Sequence, residues 1–290
     1  MPLTHEQLTT LVAIVDLGTF DAAANRLGVT RSAVSQRIRA LESHVGQVVL
    51  IRSTPCQVTT AGSVLLRLAR QYQLLESEAL AELSPEHSST LTLPVAVNAD
   101  SLATWFVSVI EACASIGDAT LQLHLEDEAL SSGLLRAGVV LGAVTSDGAA
   151  VQGCSVIPLG SMRYLPVAAP WFLEKWADDP GLRCSDAPVV RFNAKDDLQM
   201  RVLGAGTVTP PTPMIPSAEG YLTAVEAGLG WGLVPETQAS AGIASGRLTH
   251  IKELNHIDVP LYWQRWRIRS SHLDELTTTV QRASATSLRT

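Results

Sequence analysis

Apolar residues recur along the first sixty positions with the spacing of short amphipathic helices. Leu8, Leu11, Val12 and Val15 fall at i, i+3, i+4 and i+7, and Phe20, Ala23, Ala24 and Leu27 repeat that spacing, so each set marks one buried stripe. A third helix is predicted after Thr30, a suitable N-cap, with Val34, Ile38, Leu41 and Val45 on its core side and Gly46 closing it. Only Gly28-Val29-Thr30 separates the second helix from the third, which is the length and chemistry of a helix-turn-helix joint. Val48 to Ile51 then reads as a strand, Arg52 to Gln57 as a turn and Val58 as a short return, together a wing with Arg52 at its tip.

Further on, Ala61, Leu65, Leu68, Tyr72, Leu75 and Ala79 step by four and three in alternation, a heptad seam that predicts a long helix pairing with a second copy. Packing inside one chain is the alternative. Residues 84–89, Ser-Pro-Glu-His-Ser-Ser, have hinge composition. Strand and helix patterns alternate beyond it: Leu91 to Val97, Leu102 to Ala114, Leu121 to Leu125, Leu130 to Ala137 and Val139 to Thr145, then Val189 to Phe192, Asp197 to Leu203, Met214 to Ile215, Ala218 to Ala227 and Gly230 to Val234. Two such runs imply two α/β lobes with parallel sheets, whose ligands bind beyond the carboxyl ends of the strands.

Charge sharpens the division. The whole chain of 290 residues carries −7, which argues against a phosphate-rich partner. Within residues 24–52, however, five arginines (Arg26, Arg31, Arg37, Arg39, Arg52) face only Glu42, a local +4. The outer face of the third helix presents Arg31, Ser32, Ser35, Gln36 and Arg39, with Thr30 at its start. Gln bridges adenine, Arg forks onto guanine or phosphate, and Ser adapts to either, so this face suits a major groove. Cys56, Cys113, Cys154 and Cys184 are widely spaced and form no metal pattern. His5, Glu6 and Asp16 interrupt any apolar leader, so a cytoplasmic, nucleoid-associated protein is expected.

Residues 20–27, Phe-Asp-Ala-Ala-Ala-Asn-Arg-Leu, and 29–42, Val-Thr-Arg-Ser-Ala-Val-Ser-Gln-Arg-Ile-Arg-Ala-Leu-Glu, resemble the winged helix-turn-helix of LysR-type transcriptional regulators. Val49-Leu50-Ile51-Arg52 departs from that family's usual Leu-Phe pair before the arginine. Residues 98–105, 125–128, 142–145, 216–220 and 261–266 extend the resemblance over nearly the whole chain, to the ArgP/LysG subgroup of lysine and arginine export regulators. The resemblance implies an α+β protein overall: a winged helix-turn-helix at 1–59, a dimerisation helix at 60–84 and a hinge at 85–90. A two-lobed α/β effector domain like a periplasmic binding protein follows, lobe I at 91–162 and 267–290 and lobe II at 163–266. It also implies promoter DNA, a homodimer or homotetramer and RNA polymerase as partners, no membrane and no cofactor, and control of amino-acid export by lysine or arginine.

An amino acid presents a carboxylate and an ammonium, and a basic one adds a second cation. Asn98, Asp100 and Ser101 stand between a strand and a helix start, and Ser217 with Glu219 form the equivalent turn later in the chain; either turn suits the carboxylate. Asp100, Glu126, Asp127, Glu128 and Glu219 are candidates for the cations, in a stretch from 91 to 290 with 14 basic and 20 acidic residues. Thr145 closes a strand, and Trp263 is the expected ring of the set Tyr262, Trp263 and Trp266 to face the ligand. Asp100 or Ser101 serving only as an N-cap, and Glu126 to Glu128 as a solvated loop, are the plainer alternatives. Rival functions are an architectural or replication-origin DNA-binding protein without ligand control, and a cytoplasmic solute-binding protein. An enzyme is not expected, since no nucleophile-base motif or phosphate loop is present.

Overall fold

The computed structural model describes residues 3–83, 91–114, 119–126, 131–178, 181–182, 186–204 and 210–290. In chain order the elements are α1 (His5–Leu17), α2 (Phe20–Leu27), α3 (Arg31–Val45), β1 (Leu50–Ile51), β2 (Gln57–Val58) and α4 (Thr60–Leu83). Next come β3 (Leu91–Val97), α5 (Ala99–Ala103), α6 (Val107–Cys113), β4 (Ala119–Leu125), α7 (Ser131–Ala137), β5 (Gly142–Thr145), β6 (Cys154–Ala168) and α8 (Pro170–Trp176). The chain continues through β7 (Ala177–Asp178), β8 (Gly181–Leu182), α9 (Leu198–Leu203), α10 (Ala218–Glu226), β9 (Gly232–Pro235), α11 (Glu236–Ala244), β10 (Thr249–His250), β11 (Ile257–Trp266) and α12 (Ser271–Ser287). Two compact units emerge: residues 1–97, 111–157 and 263–278 form one, and residues 98–110, 158–262 and 279–290 the other.

In the first unit, each helix of the N-terminal trio begins on a threonine cap. Thr4, Thr19 and Thr30 accept hydrogen bonds from the backbone N–H groups of Gln7, Ala22 and Ala33, satisfying donors that a helix start leaves free. Gly28, at φ +64°, ends α2 in the left-handed region that admits glycine readily, and this lets α3 start three residues later. Leu11, Ile14, Ala23, Val34, Ile38 and Leu41 are fully or almost fully buried where the three helices meet. Each large aliphatic side chain in that core contributes on the order of 1.5–3 kcal/mol of burial. The wing is shorter than the pattern suggested, with Leu50 paired to Val58 and Ile51 to Gln57.

Leu65, Leu66 and Ala69 of α4 belong to the same core. This corrects the heptad reading. Leu65 faces the trio, while Val64, Leu68, Tyr72 and Leu75 stay 44–52% exposed and form the apolar stripe actually presented outward. A straight helix of 3.6 residues per turn drifts against a 3.5 repeat, so two adjacent stripes shared these positions in sequence.

Beyond α4 the first unit holds a parallel set, with β3 between β4 and β5. Five of the seven residues of β3 form an unbroken buried run from Leu93, as expected of a strand covered on both faces. Trp263 and Trp266 fill this core: their indole N–H groups donate to Thr277 Oγ1 at 3.1 Å and to the Val140 carbonyl at 3.2 Å. Gln264, also fully buried, donates to the carbonyls of Asp147 and Ala149 and accepts from the Val151 N–H.

In the second unit β6 pairs antiparallel with β9 and β10. The segments of the second run bridge in parallel as expected, Val189 to Trp231 and Arg191 to Met214; the antiparallel pairing is added by β6 and β10, which the sequence pattern did not mark. Along the long strand β6 buried and half-buried residues alternate only from Met162 to Pro166, so no period-two signal marks its full length. The helix expected from Leu102 to Ala114 is two helices, broken where Thr104 leaves helical geometry at φ −125°, ψ −102°. Val167, Val190, Tyr221, Val225, Val234, Ala239 and Leu248 make the core of this unit.

Candidate DNA interface and effector site

The buried stripe of α3 fixes which residues face outward. With Val34, Ile38 and Leu41 inaccessible, Ser32, Gln36 and Arg39 are exposed on the far side and Ser35 is half-buried. Gln36 and Arg39 have no hydrogen-bond or ion-pair partner among the described residues, which leaves their donors and acceptors open for a duplex. Thr30 is occupied locally, capping α3 and meeting Ser32 Oγ at 2.8 Å. Arg31 lies 3.4 Å from Asp21 in a solvent-exposed pair, worth little and easily exchanged for a phosphate. Arg37 points the other way, to Glu6 of α1. Arg52 is exposed, its guanidinium 5.2 Å from the centre of the Phe20 ring, so the wing arginine is held over the trio rather than floating at a loop tip.

The sensor candidates divide between the units. Asn98, Asp100, Ser101, Ser217 and Glu219 lie in the second unit; Glu126, Thr145 and Trp263 lie in the first. Asp127 and Glu128 fall outside the described residues. Asn98 occupies the N-cap position of α5, yet its side chain makes no capping hydrogen bond. Asn98 Oδ1 and Ser101 Oγ are both buried without a partner among the described residues. Orphaned polar atoms in an interior cost about 1–3 kcal/mol each, a cost that a ligand supplying partners removes. Asp100 is no cap either: its carboxylate accepts a 2.7 Å hydrogen bond from the Tyr164 hydroxyl.

Ser217 does cap α10, accepting from the Gly220 N–H, and Glu219 is exposed. Glu126 is half-buried, and its N–H donates to the Val97 carbonyl. Thr145 is fully buried and its hydroxyl accepts from the Asp147 N–H. Trp263, the ring expected to face the ligand, is wholly enclosed: it lies closely on Gly142 and packs the core of the first unit.

Residues the sequence did not mark stand around Asp100. Tyr221 is buried, donates to the Val190 carbonyl and accepts from Gln199 Nε2 and the Leu233 N–H. Burial, then the charges of Asp196 and Asp100, pushes its phenol far above the ordinary range. Gln199 is almost fully buried, and its Oε1 is a further acceptor without a partner. No spacing links Tyr164 or Tyr221 to Asp100; only folding brings them together. Desolvation raises the thiols of Cys56 and Cys113 and pushes Cys154 up to about 11, which disfavours the thiolate at each. Cys184 lies outside the described residues.

Among known proteins, residues 5–63 match the model of the bacterial regulatory helix-turn-helix proteins of the lysR family, and residues 86–285 match the LysR substrate binding domain. The chain is 48% identical over 289 residues to the HTH-type transcriptional regulator LysG of Mycobacterium tuberculosis, covering 98% of this chain and 94% of that one. It is 46% identical over 288 residues to the lysine export transcriptional regulatory protein LysG of Corynebacterium glutamicum, covering 98% of each. A full-length LysG structure from Corynebacterium glutamicum with bound effector arginine superposes with a TM-score of 0.79 at 45% identity, over 99% of this chain and 100% of that one.

Proposed function

The chain belongs to the LysR family of bacterial helix-turn-helix transcriptional regulators, and from that premise we propose that it reads promoter DNA with α3 under the control of a basic amino acid. The observation that carries the DNA half is the exposed, unpartnered Gln36 and Arg39 on the face of α3 opposite its buried stripe. Thr30, Arg31, Ser32, Ser35 and Arg52 surround them as contacts to phosphate or adjacent bases. Relatives named for lysine export and one holding arginine support the effector class and a target among amino-acid export genes. The chemistry agrees: Asn98 Oδ1 and Gln199 Oε1 are buried acceptors awaiting donors, and Asp100 is a carboxylate held in place by Tyr164. An ammonium or guanidinium supplies those N–H groups and that charge.

The outward stripe of Val64, Leu68, Tyr72 and Leu75 supports pairing of two copies, which presents two reading helices to a pseudo-palindromic operator. The ligand acts by differing in affinity for two arrangements of the assembly. No described helix is long and apolar enough to cross a membrane. Work on the chromosome in the cytoplasm, with RNA polymerase as the downstream partner, completes the proposal.

Footprinting with and without arginine and lysine tests it. The expected result is a discrete protected site whose pattern changes with one of these amino acids, and specificity relaxed by about 1–3 kcal/mol per base pair in Gln36→Ala or Arg39→Ala. Unaltered specificity in both variants overturns the reading-helix assignment; indifference to both amino acids overturns the effector.

A further inference from the structure

Within the first unit, a cavity of about 580 Å³ lies among α1, the end of α2, α4 and the β3–β4 pair. That volume falls in the range of small-molecule sites. Val12, Leu17, Leu74, Leu80, Leu91 and Leu141 give it an apolar wall.

The polar groups around it are unequally committed. Asp16 is taken by the two terminal nitrogens of Arg70. Glu76 lies 3.7 Å from His5. Two arginines belong to the lining. Arg70 is 6% exposed and committed to Asp16, whereas Arg26 is exposed and makes no ion pair among the described residues. Arg26 is therefore the cation of the lining left without a counter-charge, while Asp16 is held by Arg70 and Glu76 has His5 beside it.

We propose that this cavity is a second small-molecule site, separate from the effector site, which takes an amphipathic carboxylate. Its anionic head meets Arg26, and its hydrocarbon body lies along the leucine wall. A cationic head is repelled by that guanidinium, and a neutral one leaves its charge unmet. The occupant touches α1 and α2 of the DNA-reading domain together with β3 and β4 of the sensor, so its presence braces one against the other.

The test uses the full chain with octanoate as probe, and octyltrimethylammonium and 1-octanol as controls, in saturation-transfer NMR titrations at saturating arginine. Octanoate is expected to bind in the millimolar range or tighter, undisplaced by arginine, with both controls binding about tenfold more weakly or not at all. Arg26→Gln, an exposed position whose replacement leaves the core intact, should weaken octanoate about tenfold. Ser77→Trp, which places an indole in the cavity, should abolish binding. Absence of octanoate binding, equal binding of either control, displacement by arginine, or undiminished affinity in either variant overturns the proposal.

Discussion

Asp16→Asn probes the contact that ties α1 to α4. In the native chain Arg70 is 6% and Asp16 23% exposed, and both terminal nitrogens of the guanidinium meet the carboxylate. Removing the acid strands a buried cation whose Nε already lacks a partner. Breaking such a pair from one side costs about 3–5 kcal/mol, and the partial exposure of Asp16 places this case near 3, because water reaches the gap. The assay is hydrogen exchange by mass spectrometry on peptides from α1 and α4. At about 1.4 kcal/mol per decade, their amides should exchange roughly a hundredfold faster when exchange is governed by opening of this contact. Asp16→Asn combined with Arg70→Met should restore most of the protection, because the stranded charge is then gone. An acceleration below about threefold in the single variant, or no recovery in the double, would refute the view that the buried ion pair holds these helices together.

Other outcomes follow from neighbouring features. His124 is held below its ordinary value of 6.5 by burial first and the Arg70 charge second, with Asp16 pulling the other way. Since the folded form resists the proton, stability is fully present above the unfolded value and falls as pH drops below about 6.5; urea midpoints of His124→Gln should lose that part of the acid dependence. An unchanged slope in the variant would exclude His124 as its source. Leu68→Glu should move the sedimentation profile to smaller species, and an unaltered profile would count against the α4 seam as the pairing surface. Asp100→Asn should weaken arginine binding by about tenfold or more in calorimetry while sparing ligand-free DNA binding; equal affinity would remove Asp100 from the site.

The N-terminal reader was legible in the sequence because its determinants are local. Helical periodicity, threonine caps and the left-handed glycine at Gly28 each act within a few residues, and they set which face of α3 is polar. The basic island at residues 24–52 was equally local, and it turned a net charge of −7 from an argument against DNA into an average over unlike surfaces.

The candidate effector site was legible only in part. Asn98, Asp100 and Ser101 were marked by their place after a strand, yet what they do was decided by partners far along the chain. Asp100 is held by Tyr164, 64 residues on, while Asn98 and Ser101 keep buried polar atoms unmet. Trp263 alternated with its neighbours as a ligand-facing ring would, but alternation gives two faces without saying which is covered; the close approach of Gly142 decided it. In α4, two overlapping apolar stripes left Leu65 and Leu68 indistinguishable until the three-helix core claimed Leu65.

Sequence by itself thus determined the helix-turn-helix, the polar outer face of its third helix and the alternation of strands and helices beyond it, because those follow from short-range backbone and amphipathic preferences. Tertiary structure alone decided which groups remain unsatisfied, which ion pair is buried and where space is left. Those properties depend on residues such as Asp16 and Arg70, or Gln199 and Tyr221, that are distant in the chain and meet only when it is packed.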